Sequence, residues 1–172
     1  MKWIKEVLNK APQKTHPQRQ EKIQLLEPGR LVDGELELVL FRSYHAKANN
    51  ETVPTYRFKM FIGGEDGEEV GRIDLRVRDT ERIIMYLGHI GYRVSPKYRG
   101  SHYAARATRL LLPLARSHGM ETLWITCNPE NFPSRRTCEL AGAILVEIVD
   151  VPKNSDFYTA GEKQKCRYRL DL

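Results

Sequence analysis

The chain reads as an α/β protein (α+β mixed): a mixed, mostly antiparallel twisted sheet flanked by helices. Three observations point there. Runs with an apolar residue at every second position fill the first half, the pattern of half-buried strands. Helical spacing follows between Tyr103 and Gly119 and again after Asn131, each time succeeded by another short strand-like run. Strands first, then helices alternating with strands, place helices on the faces of a sheet.

Residues 1–30 read as an arm. Trp3, Ile4, Val7 and Leu8 suit one short amphipathic helix, and a polar stretch with two prolines follows from Ala11 to Glu21. Residues 31–172 read as one domain without repeat or linker, and 41% hydrophobic with 29% charged residues over 172 positions is enough for a single core. Within it, Leu36, Leu38 and Leu40 alternate in Glu35 to Ser43, and Tyr56, Phe58, Met60 and Ile62 alternate in Thr55 to Ile62, giving antiparallel neighbours. A glycine-rich turn at Gly63 to Gly67 leads into a third strand, Val70 to Arg78, and Asp79-Thr80 turns the chain into the strand containing His89.

Ile90, Tyr92 and Val94 continue the alternation until Pro96 removes a ladder donor. A helix begins just after Gly100, with apolar residues at helical spacing from Tyr103 and Ala104, Ala107, Leu111 and Leu114 on one stripe, a bend expected at Pro113 and a C-cap at Gly119. Thr122 to Thr126 is a strand, Asn128 to Asn131 a turn, and a second helix holds Pro133 in its first turn and closes at Gly142. Ala143 to Asp150 and Lys165 to Leu170 complete the strands.

The run His89 to Ala104 carries the functional reading. A helix N-terminus presents backbone N–H groups without partners, and Arg99 and Gly100 stand where an anion would dock. A strand that stops pairing exposes backbone groups near Tyr92 and Val94, which an extended amide-bearing ligand can use. Coenzyme A has both parts, and a net charge of +6 with pI near 9.3 suits its phosphates.

Val94-x-Pro96-x-x-Arg99-Gly100-x-x-Tyr103-Ala104, followed by Asn131-x-x-Ser134 and Gly142, resembles the acetyl-CoA signature of the GNAT N-acetyltransferase superfamily, in element order over residues 35 to 172. The family's pyrophosphate loop has the form Arg/Gln-x-x-Gly-x-Gly/Ala. Arg99-Gly100-Ser101-His102-Tyr103-Ala104 keeps its first and last positions and puts His102 at the middle glycine. The resemblance implies a GNAT-like sheet, acetyl-CoA as co-substrate without a metal, and transfer of an acetyl group to a primary amine by direct attack. Tyr92, Arg93 and Val94 would flank the thioester, their N–H groups polarising its carbonyl. The pyrophosphate loop, with Lys97, Arg135 and Arg136 toward the ribose phosphate and Asn131 and Ser134 at the second helix, would hold the coenzyme. Asn131 and Ser134 equally suit a helix cap. His102 either covers the pyrophosphate or replaces glycine where φ is negative, the second reading being preferred.

His89 is the candidate base, because imidazole titrates near neutrality; the alternative is a structural histidine. Cys138 occupies the position at which family members carry an acidic tyrosine and is either that acid or core, with core preferred; Tyr158 or Tyr168 would then be the acid. Family members place acceptor-shaping helices between the first two strands, where Tyr44 to Val53 here lacks helical periodicity. The acceptor wall is therefore expected from the arm or from Lys153 to Gly161. The acceptor is an amine on a small molecule, a protein N-terminus or a lysine, and the basic surface favours one bearing acid or phosphate.

Two other functions compete: a non-catalytic acyl-CoA-binding module, suggested by His102 and Cys138, and nucleic-acid binding through Arg106, Arg109 and Arg116 and the basic arm, which lacks interleaved aromatics. The histidines and cysteines have no zinc-like spacing and specify no Cys–His nucleophile. Cys127, Cys138 and Cys166 lack paired spacing, Met1 to Lys10 lacks the apolar core of a signal peptide, and no stretch has the ~20 apolar residues of a membrane span, so a cytoplasmic protein is expected. An edge strand near the C-terminus is the candidate homodimer contact.

Overall fold

A computed structural model describes residues 23–45 and 53–172. Five strands form one antiparallel sheet in the order β1 (Leu31–Asp33), β2 (Leu36–Tyr44), β3 (Thr55–Ile62), β4 (Glu68–Arg76) and β5 (Ile90–Val94). Three more, β6 (Thr122–Cys127), β7 (Ile144–Asp150) and β8 (Gln164–Asp171), form a second antiparallel sheet with β8 in the middle. Helix α1 (Tyr103–Ser117) links the sheets, α2 (Phe132–Ala141) joins β6 to β7, and the single turn α3 (Asp156–Thr159) lies between β7 and β8.

The alternation sets the core. Register pairs Leu38 with Met60 and Leu40 with Phe58, so the apolar faces of β2 and β3 coincide and Tyr56, Phe58 and Met60 are wholly enclosed. Ile73 and Leu75 extend that face through β4. Helix α1 lays Ala104, Ala107, Leu111, Leu114 and Ala115 into the core, its alanines permitting a close approach. Its other side carries Arg106, whose Nε and Nη1 hold Asp33 (2.8 Å) and Glu35 (2.6 Å) and tie the helix to the β1–β2 turn.

The sheet expected from the pattern is thus divided into two antiparallel sheets. Elements too short or too uniformly apolar to show a period were also unanticipated: β1, α3, and a π-helical turn at Ile83–Leu87 whose start is held by Thr80. Helix α1 continues through Pro113 without interruption. The described part of the arm packs on the domain. The Tyr56 hydroxyl accepts the Leu26 N–H (2.6 Å) and lies 2.8 Å from the Leu26 carbonyl oxygen, while Ile23 and Leu25 pack on the core. The expected helix of Trp3, Ile4, Val7 and Leu8 lies outside the described residues. Strand β7 is an outer strand with Ile144, Val146 and Ile148 exposed. No helix among the described residues is long and apolar enough to cross a membrane.

Candidate active site

The two sheets touch at one point and part beyond it. At Gly88, φ is +76° and ψ 156°, a region open essentially to glycine alone, and a Cβ there would meet Trp124 O and Thr126 N at 3.1 Å. The next residue fastens the contact: the His89 N–H donates to Trp124 O (2.6 Å), and the Trp124 N–H donates to His89 Nδ1 (2.9 Å). A ring nitrogen that accepts carries no proton, so Nε2 holds it and donates to Asp79 Oδ1 at 2.9 Å. His89 is fully buried, and burial pushes its pKa below the usual value against the opposing pull of Asp79.

Past this staple, β5 has a free edge. Bonds from Ser95 N–H to Val70 O and from Arg76 N–H to His89 O, 2.9 Å each, bracket its ladder with β4. Antiparallel pairing alternates, so Gly91, Arg93 and Ser95 face β4 with their backbone groups, as the His89 carbonyl does, whereas Ile90, Tyr92 and Val94 turn theirs toward β6. Among the described residues no ladder joins β5 to β6. The wedge between them leaves the Tyr92 and Val94 backbone facing the opening.

A groove of about 610 Å³ runs from this edge across the start of α1 to α2. After a 3-10 turn at Pro96–Tyr98, Gly100 takes φ +93° with open space where a side chain would stand. The N–H groups of the first turn of α1, at Tyr103 and Ala104, border the groove, and the His102 side chain makes no capping bond to them. On the far wall, Asn131 Oδ1 accepts the Ser134 N–H at 3.2 Å, so these residues cap α2 and line the groove at once.

A smaller cavity of about 220 Å³ occupies the fork and shares Tyr92, Asn131 and Ser134 with the groove. The Tyr92 hydroxyl lies 2.8 Å from Ser134 Oγ and 3.2 Å from the Ser134 carbonyl oxygen, and burial raises its pKa. Across the fork, Glu162 pairs with the nearly buried Lys165 at 2.8 Å, and Lys165 also donates to Asn128 Oδ1 at 3.0 Å. Cys127 lines the fork and Cys138 lies behind it, fully buried. A hydrogen bond between the two thiols lowers the Cys127 pKa and raises that of Cys138, which burial raises further.

Of the residues expected to hold a coenzyme, Tyr92, Arg93, Val94, Arg99, Gly100, His102, Tyr103, Ala104, Asn131 and Ser134 border the groove. Ser101, Lys97 and Arg135 do not. Lys97 pairs with Glu68, and Arg135 turns inward to Tyr168 OH and Pro129 O at 3.3 Å each, leaving Arg136 on the wall. His102 departs from the expected negative φ: at +57° it is left-handed, the one such non-glycine among the described residues, because the chain must reverse there to start α1. His89 has both ring nitrogens engaged and borders neither the groove nor the fork. Cys138 is enclosed in the core. Tyr158 stands on α3 under the Lys163 ammonium, 3.3 Å from the ring centroid, and borders neither cavity, and the Tyr168 hydroxyl receives the Arg135 bond. Sequence reasoning missed the Tyr92 hydroxyl and Glu162. An alternation pattern shows that Tyr92 belongs to a strand and says nothing of what its side chain meets, and Glu162 stands in an irregular loop with no period.

Comparison with known proteins agrees with this geometry. A family model described as the acetyltransferase (GNAT) domain matches residues 14–144. No curated protein matches the sequence. A Vibrio cholerae structure assigned as a ribosomal-protein-serine acetyltransferase superposes with a TM-score of 0.59 at 18% identity, covering 86% of this chain and all of that one. A GNAT-family acetyltransferase from Bacillus anthracis gives 0.51 at 24% identity over 67% of this chain and 65% of its own. The microcin C7 self-immunity acetyltransferase, solved with acetyl-CoA and AMP, gives 0.53 at 13% identity over 69% and 61%. With a parted sheet, a groove at the start of α1 and a family model spanning most of its length, the chain belongs to the GNAT acetyltransferase family.

Proposed function

We propose that this protein transfers the acetyl group of acetyl-CoA to a primary amine by direct attack. The observation that carries the reading is the continuity of the groove with the fork at Tyr92: a helix start with free N–H groups at one end, an unpaired strand edge in the middle, a smaller cavity bordered by polar side chains at the other. The pyrophosphate lies on the N–H groups of Tyr103 and Ala104 beside Arg99, with Gly100 leaving room for it. The extended amide arm pairs with the outward groups of Tyr92 and Val94, which also polarise the thioester carbonyl.

In the transfer the amine nitrogen bonds to the carbonyl carbon, the carbon–sulfur bond breaks, the nitrogen loses a proton and the sulfur gains one. Glu162, a carboxylate bordering the fork, takes the amine proton directly or through water. The Tyr92 and Ser134 hydroxyls stand where groove and fork meet and donate to the departing thiolate. A thiol with a pKa near 8.5 leaves readily, so a hydrogen bond is sufficient help. His89 acts by holding the sheets together at the point from which they part.

The test is calorimetry with acetyl-CoA against NAD and ATP, on wild type and Gly100→Glu, followed by release of free thiol with a panel of amines. Selective acetyl-CoA binding that Gly100→Glu abolishes, with thiol release that depends on the amine, is expected. Binding without amine-dependent release would leave an acyl-CoA-binding module, and no binding by the folded protein would remove the coenzyme.

A further inference from the structure

Behind the fork lies a cavity of about 420 Å³ bordered by Arg57, Arg76 and Arg82, and it shares Leu87 with the fork cavity. Its charges are not balanced. Arg57 grips Asp74 with two bonds, Nε to Oδ1 at 2.9 Å and Nη2 to Oδ2 at 2.8 Å, and so occupies both carboxylate oxygens. Arg82 does the same to Asp156 at 2.8 and 2.6 Å. Arg76 is left over. Its side chain is 15% exposed, its nearest carboxylate oxygen is the already engaged Asp74 Oδ2 at 3.7 Å, and its hydrogen bond is from Nη1 to the Gly88 carbonyl at 3.2 Å. Most of its five donors lack a protein partner among the described residues.

Sequestering a guanidinium without its own counter-ion is strongly unfavourable, and burial depresses the Arg76 pKa despite Asp74. Arginine supplies a planar fork suited to carboxylate and phosphate. The position is also specific. Arg76 lies over Gly91, where a Cβ would come within 3.3 Å of Nη1, and Gly91 borders the fork beside Tyr92. The free donors therefore stand one residue from the reaction space.

We propose that this cavity is an oxyanion subsite in which Arg76 binds a carboxylate or phosphate of the acceptor, so that the acceptor is a small amine carrying its negative charge a few bonds from the nitrogen. The assignment of the bound molecule as acceptor rests on the acetyltransferase reading; the anion site itself does not.

The test follows the Arg76 Nε–H and Gly91 amide signals by NMR in the full chain, with coenzyme A added to keep anions out of the cofactor groove. The probes are phosphoethanolamine against ethanolamine and β-alanine against propylamine. Saturable shifts of both signals with an anionic member and none with its neutral counterpart are expected, and the member that acts assigns the anion as phosphate or carboxylate. Arg76→Gln should weaken that binding by about tenfold or more. Signals that stay in place with both anionic probes overturn the subsite, and this wild-type result decides even if the variant does not fold. Equal binding by a folded Arg76→Gln also overturns it. Thiol release from acetyl-CoA with the bound probe extends the site to the acceptor. Saturable binding without release keeps the anion site and removes the acceptor role, while failure of acetyl-CoA to bind removes the acetyltransferase reading and leaves the titration intact.

Discussion

Replacing His89 separates a structural from a catalytic histidine. His89→Leu keeps most of the side-chain volume and deletes both ring bonds. The Trp124 N–H, donated to Nδ1 in the native fold, loses its acceptor at a buried contact, which costs about 1–3 kcal/mol. The bond to Asp79, whose side chain is 72% exposed, contributes about 0.5–1 kcal/mol after solvent screening. Together they amount to about 1.5–4 kcal/mol, and at this chain length Tm should fall by about 3–16 °C. Thermal unfolding followed by circular dichroism between pH 5 and 8 (roughly the range over which histidine titrates) measures this. The pH dependence has a definite sign. The folded pKa of His89 is depressed, so its stability contribution is complete above the unfolded value near 6.5 and is lost as pH falls toward the folded value. Wild type should therefore weaken on acidification below about pH 6.5, and His89→Leu less steeply. His118, also depressed by burial, contributes in the same direction and remains in the variant. An unchanged Tm together with loss of the acidic limb of the pH–rate profile would refute this reasoning and make His89 a base.

Three further outcomes are expected. Tyr92→Phe should lower kcat by about tenfold while leaving the acetyl-CoA Kd within about twofold, since the hydroxyl assists the leaving thiolate; equal kcat values would exclude it. Glu162→Gln should lower kcat/KM at neutral pH by about a hundredfold, with the loss narrowing as pH rises and more amine is already neutral, as a pH–rate series would record. His102→Gly should raise stability by about 1 kcal/mol in urea unfolding, because glycine meets no left-handed penalty at φ +57°; a destabilised variant would mean that the imidazole makes a compensating contact.

The parts of the fold visible in the sequence are those with a local period. Strands β2 to β4 declare themselves because Leu36 and Leu38, then Tyr56, Phe58 and Met60, each fall on one face, and the same two-residue beat exposes which face is buried. The start of α1 was legible for the same local reason: Pro96 ends a strand, Gly100 turns, and an apolar helical stripe begins. The sign of φ at His102 was not, since it depends on how far the chain must swing to bring α1 back over the sheet. Arg76, Gly91 and Glu162 were hidden for a third reason. Their meaning arises across β4, β5 and the loop before β8, and no spacing along the chain encodes that Arg57 takes both oxygens of Asp74 at hydrogen-bond distance and leaves Arg76 a 3.7 Å contact with one of them. Cys138 shows the limit of motif alignment, because a small thiol at that position lies in packed core, while a hydroxyl beside the fork belongs to Tyr92 on β5.

The division of the sheet follows from how antiparallel strands spend their hydrogen bonds. A strand between two neighbours pairs on both edges, and parting it from one neighbour leaves every second residue with its N–H and C=O unmatched. Doing this within a core is costly unless the parted edge meets water or a ligand. Here the parting is confined to the end of β5 beyond His89, where Gly88 lets the sheets touch and the imidazole closes the last contact. The residues that face β4 keep their bonds, so the five-stranded sheet loses nothing by the opening. Those that face the wedge, Tyr92 and Val94, present a donor and an acceptor each at strand spacing, which an extended diamide can match and a compact ligand cannot. The shape of the opening, an unpaired edge at strand spacing, is thus a consequence of where one glycine and one histidine hold the two sheets together.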